Sequence, residues 1–378
     1  MDDVITGSTG GFEMRVLHAP VTVGNQAWTL SRAERELGNK SDVVVNYNTW
    51  IQYRADRVLS TYQTKDWREI FHRWFFGLSA PFRYQVLHYY FGRSSLVFDD
   101  LPHHNVSPFL DLKIARFLGR KIFMTLQGCD ARLAAQSNRR NDYTPCAEGK
   151  CSAYANCVST VDAQRQTMID SVLPLCDRVF YLNPELGHYV PDATFMPYTI
   201  VDIDAIDVEA PSRRERPRII HAPSDPNIKG TPLILEALDR LKSRFDFDLV
   251  LVDGKPHHEA MEIYKSADLV IDQVFAGWYG GFAVEVMAMG KPVAAAIRQA
   301  DLKFIPSEMR EQIPVLSVDP SSLTEDLAKI LERRNEWDQI GLAGRQYVER
   351  WHHPRRIAKA MNRIYKDPSA PFEILEAS

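Results

Sequence analysis

The chain has 378 residues, of which 45% are hydrophobic and 25% charged. At about 150 residues per domain this length suits two domains, each able to bury its own core, and the composition excludes a disordered or collagen-like chain. A net charge of -4, from 45 basic against 49 acidic residues, gives no bulk attraction to nucleic acid. The longest apolar-looking stretch, 269–296, is interrupted by Asp272, Gln273, Glu285 and Lys291, so no transmembrane helix is expected. The opening MDDVITGSTGGFEM lacks the basic and apolar regions of a secretory signal. Five cysteines, an odd number, do not read as a disulfide framework, and a reducing cytoplasm is the expected compartment.

Short apolar runs alternate with longer amphipathic stretches. They predict strands over 15–18, 43–45, 96–98, 122–124 and 179–182, then over 219–221, 249–252, 269–271, 293–296 and 315–318. Such runs suit strands buried on both faces of a parallel sheet. Ala27, Leu30, Ala33 and Leu37 recur at helical spacing, as do Ile234, Leu238, Leu241 and Phe245 after a Thr231 cap and Pro232. Alternation of this kind, occurring twice, predicts an α/β chain of two Rossmann-like doubly wound domains. Their joint is expected in 202–217, DIDAIDVEAPSRRERP, where charge and proline replace periodicity. One undivided sheet of ten strands is the alternative.

Several segments carry candidate chemistry. Gly24, in VTVGNQ after the first strand, is a candidate ligand contact from the first domain. The segment 66–93 mixes ten aromatics, among them Trp67, Phe71, Phe75 and Phe82, with Arg68, Arg73, Arg83 and Arg93. That mixture suits a peripheral membrane-surface or acceptor-binding face, although buried helices explain much of it and are the favoured reading. In TLQGCDAR (125–132), after the strand over 122–124, Gln127 and Asp130 are candidate ligand contacts and Arg132 a candidate for an anionic group. A loop-closing Asp130–Arg132 pair is the structural alternative.

Cys129, Cys146, Cys151 and Cys157 share one polar loop. Four thiolates there are a candidate structural zinc site, with unligated thiols the default, since the spacing lacks tight pairs. HAPSDPNIKG (221–230) puts Lys229 at a helix start beside the strand ends where α/β sheets bind ligands; there it can neutralise a leaving diphosphate, or else lie solvated. GWYGGFAVEVMAMGKP (277–292) is the sharpest segment. Its glycines allow close backbone approach, and the following helix start offers free N–H donors to a phosphate. Glu285 is placed to accept from ribose hydroxyls, or to cap donors locally. The two D-x-D triplets, 202–204 and 246–248, read as accidental. The pairs His257–His258 and His352–His353 read as solvated helix ends, and no nucleophile-elbow serine or Walker loop is present.

KGTPLILEAL, SADLVIDQVFAGWYGGFAVEVMAMGKPV and IGLAGRQYVERWHHPRRIAKAMNRIY together resemble the C-terminal domain of GT-B glycosyltransferases of the retaining family 4 group (glycosyl transferases group 1). MPYTIVD and HAPVTVGNQ resemble that family's hinge approach and N-terminal glycine loop, more weakly. The resemblance implies two domains facing a central cleft: an acceptor domain over 1–203, a donor domain over 204–353, and a helix in 354–378 returning to the first. It implies a nucleotide-sugar donor, a UDP- or GDP-sugar, and transfer to an acceptor hydroxyl with retention and without a required metal. Glu285 then matches the ribose-binding glutamate, Lys229 the phosphate lysine, and Gly280, Gly281 and Phe282 the backbone beside the donor. Two positions depart from the pattern. The family's first glutamate falls at Gly277 and its arginine at Ser224, which makes Asp272 and Tyr279 the candidates for replacement contacts. The acceptor class stays open among a glycan, a lipid-linked intermediate, a small molecule and a modified nucleobase. A nucleotide-sugar epimerase and a catalytically inactive nucleotide-sugar-binding protein are the rival readings.

Overall fold

Twelve strands among the described residues divide into two sheets, parallel throughout. The computed structural model describes residues 13–22, 24–49, 53–209 and 214–375. The first sheet holds β1 (Arg15–Ala19), β2 (Lys40–Val45), β3 (Arg57–Val58), β4 (Val86–Tyr90), β5 (Lys121–Leu126), β6 (Arg178–Tyr181) and β7 (Thr194–Phe195). The second holds β8 (Arg218–His221), β9 (Asp248–Leu251), β10 (Leu269–Ile271), β11 (Val293–Ala295) and β12 (Leu316–Ser317). The undivided ten-strand alternative is therefore wrong. Residues 1–12 of the opening segment, and 210–213 within the joint, lie outside the described residues.

Helices connect the strands. In the first half they are α1 (Gln26–Glu36), α2 (Trp67–Arg83), α3 (Leu110–Phe117), α4 (Ala134–Arg140), α5 (Tyr154–Asn156) and α6 (Asp162–Ser171). In the second they are α7 (Pro226–Lys229), α8 (Thr231–Leu241), α9 (His257–Tyr264), α10 (Gly281–Ala288), α11 (Ser307–Glu311), α12 (Leu323–Glu332), α13 (Trp337–Trp351) and α14 (Pro354–Lys366). Thr231 is the first helical residue of α8 and not its cap, because the short α7 ends in Gly230, which occupies that position.

Strand order locates the crevice. The first sheet runs β3-β2-β1-β4-β5-β6-β7 and the second β12-β11-β10-β8-β9. In each, the chain reverses its direction of winding beside the first strand, between β1 and β4 and between β8 and β10. Loops leaving the C-terminal ends on either side of such a reversal diverge and leave a ligand-sized gap. Those loops begin at Pro20, Phe91, Ala222 and Asp272.

The predicted strand over 96–98 is a buried loop, with Leu96 and Phe98 fully covered. The strand in that region is β4, VLHYY, whose polar side chains are fully buried and bonded to residues of other elements. His88 Nδ1 meets the Tyr365 hydroxyl at 2.8 Å and His88 Nε2 the Thr125 hydroxyl at 2.7 Å. Burial, then the neighbouring His18, push the His88 pKa well down and keep it neutral. The Tyr365 hydroxyl donates to Glu34 Oε1 at 2.9 Å, while Glu34 Oε2 meets His18 at 2.8 Å. This network sits inside an apolar cluster that joins α14, through Ile357, Met361 and Ile364, to Val16, Leu30 and Phe123. The final helix thus packs on the first sheet's side, against α1.

Candidate active site

The second sheet builds one wall of the gap. Asp225 caps α7, accepting from the Asn227 and Ile228 N–H groups, so Lys229 ends a rigid turn. Its Nζ donates to Asp272 Oδ1 at 2.9 Å, and Asp272 Oδ2 also accepts from the Gly280 N–H. The pair is sheltered, with side chains 13% and 1% exposed. Gly280 lies so close that a Cβ there would stand 2.9 Å from Lys229 Nζ. What a side chain here would disturb is the position of Lys229, not the backbone, whose φ is -94°. No side chain caps α10, so no side chain claims the N–H donors of its first turn, beside Lys229. A cation and a positive helix end at one point form a seat for phosphate.

One turn further along α10, Glu285 Oε1 meets His257 Nε2 at 2.6 Å. The Glu285 hydrogen bond raises the His257 pKa, against the lowering effect of burial. The Tyr53 ring rests on His257 with centroids 5.6 Å apart. Glu285 therefore takes its partner from the start of α9, and the local-cap alternative does not hold.

The facing wall comes from the first sheet. Asp130 accepts from the backbone N–H groups of Gln127 and Gly128, folding the loop after β5 so that Gln127 lines the cleft. Burial pushes the Asp130 carboxyl up, against the lowering by those amides. Neither polar end of the Gln127 side chain has a hydrogen-bond partner among the described residues. Arg132 is buried and bonded to Glu185, not to Asp130; burial opposes its charge, while the Glu185 carboxylate and the Cys129 and Cys146 sulfurs together raise its pKa. Asn183 bridges the Tyr198 hydroxyl and the Gln127 carbonyl. Gly24, Gln127, Arg132, Asn183 and Tyr198 share a cleft of about 560 Å³ with Lys229, Gly280, Gly281, Phe282 and Glu285. That volume suits a small ligand.

Several sequence readings need correction. Tyr279 does not reach the cleft: it is fully buried, its hydroxyl bonded to Tyr347 at 3.0 Å and His352 at 2.9 Å. Asp130 and Asp272 stand behind the surface, holding Gln127 and Lys229. Of the paired histidines, only His258 is exposed. His352 is buried against Tyr279 and the Tyr198 carbonyl, and His353 caps α14. The D-x-D triplets are surface ion pairs: Asp246 and Asp248 flank Arg216, and Asp204 meets His353. The less favoured zinc candidate finds no support either. Among the described residues no group of three or more His, Cys, Asp or Glu is placed to hold a metal, and Cys146 and Cys157 pack into an apolar cluster with Ala134.

The two departures have physical shape. Gly277 has φ +71°, and a Cβ there would lie 2.6 Å from Arg298 Cζ. Arg298 spends its guanidinium on the carbonyls of Tyr143 and Phe275 and on Asp301, so no carboxylate fits at 277. Ser224 is exposed at the cleft. Tyr53, Asn183 and Tyr198 are cleft residues that the sequence reading passed over, and His257 is one that it took for a solvated helix end. His257 had a usable signal, because it follows the C-terminal end of β9, and loops there face the crevice.

No family model matches the sequence, and no curated protein does. Solved structures align over nearly its whole length. Sucrose-phosphate synthase from Thermosynechococcus elongatus superposes with a TM-score of 0.59 at 14% identity, over 94% of this chain and 99% of that one. A glycosyltransferase from Rickettsia africae does so at 0.58 and 13%, with the same coverages. The fold is GT-B. HepE from Anabaena, solved with UDP-glucose, superposes at 0.57 and 10% identity, again over 94% and 99%. The GT-B cleft of this chain is the gap between its two sheets, and the candidate residues from both halves meet there.

Proposed function

We propose that the chain is a glycosyltransferase that moves a sugar from a nucleotide diphosphate, a UDP- or GDP-sugar, to an acceptor hydroxyl with retention. The observation that carries this is the Lys229–Asp272 pair at the uncapped start of α10, in one cleft with a Gln127 amide that has no hydrogen-bond partner among the described residues. That HepE is solved with UDP-glucose supports the donor class. Residues 1–203 would serve the acceptor, 204–353 the donor, and 354–378 would tie the two together, in a cytoplasm that suits five free cysteines.

In this reading the diphosphate oxygens take the first-turn N–H groups of α10 and Lys229 Nζ, whose position Asp272 fixes beforehand. Glu285 accepts from the ribose hydroxyls, giving up or sharing His257, and the Gln127 amide holds sugar hydroxyls. The bond from the anomeric carbon to the phosphate oxygen breaks as the acceptor oxygen bonds to that carbon on the same face. The acceptor proton passes to the leaving phosphate, whose charge Lys229 and the helix start stabilise. Closing of the halves about 202–217 would exclude water and limit hydrolysis.

The test is a panel of UDP- and GDP-sugars scored by thermal stabilisation, followed by turnover with candidate acceptors. One donor class should raise the melting temperature in wild type and not in Lys229→Met, since only native-state binding stabilises. An isomerised sugar from donor alone would instead establish an epimerase. Tight binding without transfer across the acceptor panel would establish a binding protein.

A further inference from the structure

The aromatic segment divides in a way its sequence does not announce. Phe76 and Tyr84 are buried, whereas Trp67, Phe71, Phe75, Leu78 and Phe82 are exposed, the first two at 69% and 63%. Their spacings of four, four, three and four residues place them on one stripe of α2. The opposite face holds the helix in place. Arg73, fully buried, forms a paired hydrogen bond with Asp100 at 2.9 and 3.2 Å. A Cβ on Gly77 would lie 2.4 Å from Leu96, a measure of how closely the helix is seated. The apolar stripe therefore points outward from a fixed element.

Its flank carries arginines, with the carboxylates of Asp66 and Glu69 at its N-terminal end. Arg68 and Arg83 lie over the Trp67 and Phe75 rings, each 5.7 Å from the centroid, and Arg57 meets His72 on the same side at 2.9 Å. The acids nearby are engaged locally: Asp66 caps α2 and Glu69 binds Thr61. A helix of 17 residues is about 25 Å long, and a stripe about 10 Å wide on it offers roughly 250 Å², well short of the about 800 Å² per partner of a stable protein interface. Exposed Trp, Phe and Leu with arginines alongside match a helix lying in a lipid interface, with rings among the acyl chains and guanidinium groups at phosphate level.

We propose that α2 docks this protein on the surface of an anionic lipid bilayer, inserting the Trp67–Phe82 stripe while Arg57, Arg68 and Arg83 meet lipid phosphates. The surface does not depend on the glycosyltransferase reading. Its test is co-sedimentation of the full chain with vesicles of phosphatidylcholine alone or with 30% phosphatidylglycerol, about 0.1 M and 0.5 M salt being compared because screening acts at these strengths. Wild type should bind the anionic vesicles at least tenfold more tightly than the neutral ones and weaken at high salt. Phe71→Ser/Phe75→Ser/Phe82→Ser and Arg68→Glu/Arg83→Glu should each lose at least tenfold while keeping the wild-type melting temperature, since all five side chains are exposed. Failure of wild type to sediment with anionic vesicles would overturn the proposal, as would indifference to the triple substitution. So would a wild-type dimer, by light scattering, that the triple substitution dissolves, because the stripe would then serve a second copy.

Discussion

A single methyl group at Gly280 tests whether Lys229 meets the donor. The backbone there is ordinary extended chain (φ -94°, ψ -177°), so Gly280→Ala brings no conformational penalty. Its Cβ would stand 2.9 Å from Lys229 Nζ and 3.1 Å from Asp272 Oδ2, inside the about 3.5–4.0 Å of comfortable contact. The ammonium is the end of a flexible chain and Asp272 is held by the Gly280 N–H, so the lysine moves. Losing its charge-assisted bond to a diphosphate costs about 1.5–3 kcal/mol, a roughly ten- to 150-fold weaker Kd. Overpacking adds about 1–3 kcal/mol of destabilisation, which two folded halves of this size tolerate. Titration calorimetry with whichever of UDP-glucose and GDP-mannose wild type binds more tightly gives the affinity, and a thermal scan confirms folding. A folded Gly280→Ala protein with wild-type donor affinity would refute the assignment of Lys229 to the phosphates.

Three further outcomes follow from the geometry. Because Glu285 raises the His257 pKa, the stability from that pair is complete below the ordinary histidine value of about 6.5 and is lost as pH climbs through the raised one. The wild-type melting temperature should accordingly fall from pH 6 to pH 8.5 by more than that of His257→Gln, and parallel curves would contradict the pairing. Tyr365→Phe removes the hydroxyl shared by Glu34 and His88, and should cost about 1–3 kcal/mol in urea unfolding, since buried polar groups lose a partner; a change within error would show the network to be slack. Gly277→Glu, which restores the carboxylate of the resembled family, should lower stability by about 2–5 kcal/mol through its left-handed φ and the Arg298 clash with no gain in turnover. A more active Gly277→Glu enzyme would overturn the account of that position.

The sheets were legible wherever strands are runs of Val, Ile and Leu. All five strands of the second half fall where apolar runs predict them, to within two residues at either end. β4 was not, because its aromatic and histidine residues stand in a segment of similar composition, and their fitness for burial depends on partners as distant as Tyr365. Lys229 and Gly280 were legible because they follow β8 and β10, where strand order opens a crevice. The direction of Tyr279 was not, since adjacent residues of one turn point to different sides. Nor was the partner of Arg132: Glu185 is 53 residues away and reaches it through the loop after β6.

Ile200 has a part out of proportion to its chemistry. It sits at the joint, with a methyl group on Gly24 falling 3.7 Å from one of its carbons and a methyl group on Gly281 falling 2.7 Å from another. At the back of the gap this side chain is an aliphatic wedge between the two halves, with Asn25 clasping its carbonyl at 3.0 Å. Trimming the wedge would let the walls settle nearer to one another, and thickening either glycine would prop them apart. The spacing at the back of the gap thus rests in part on a residue that has no polar side-chain group.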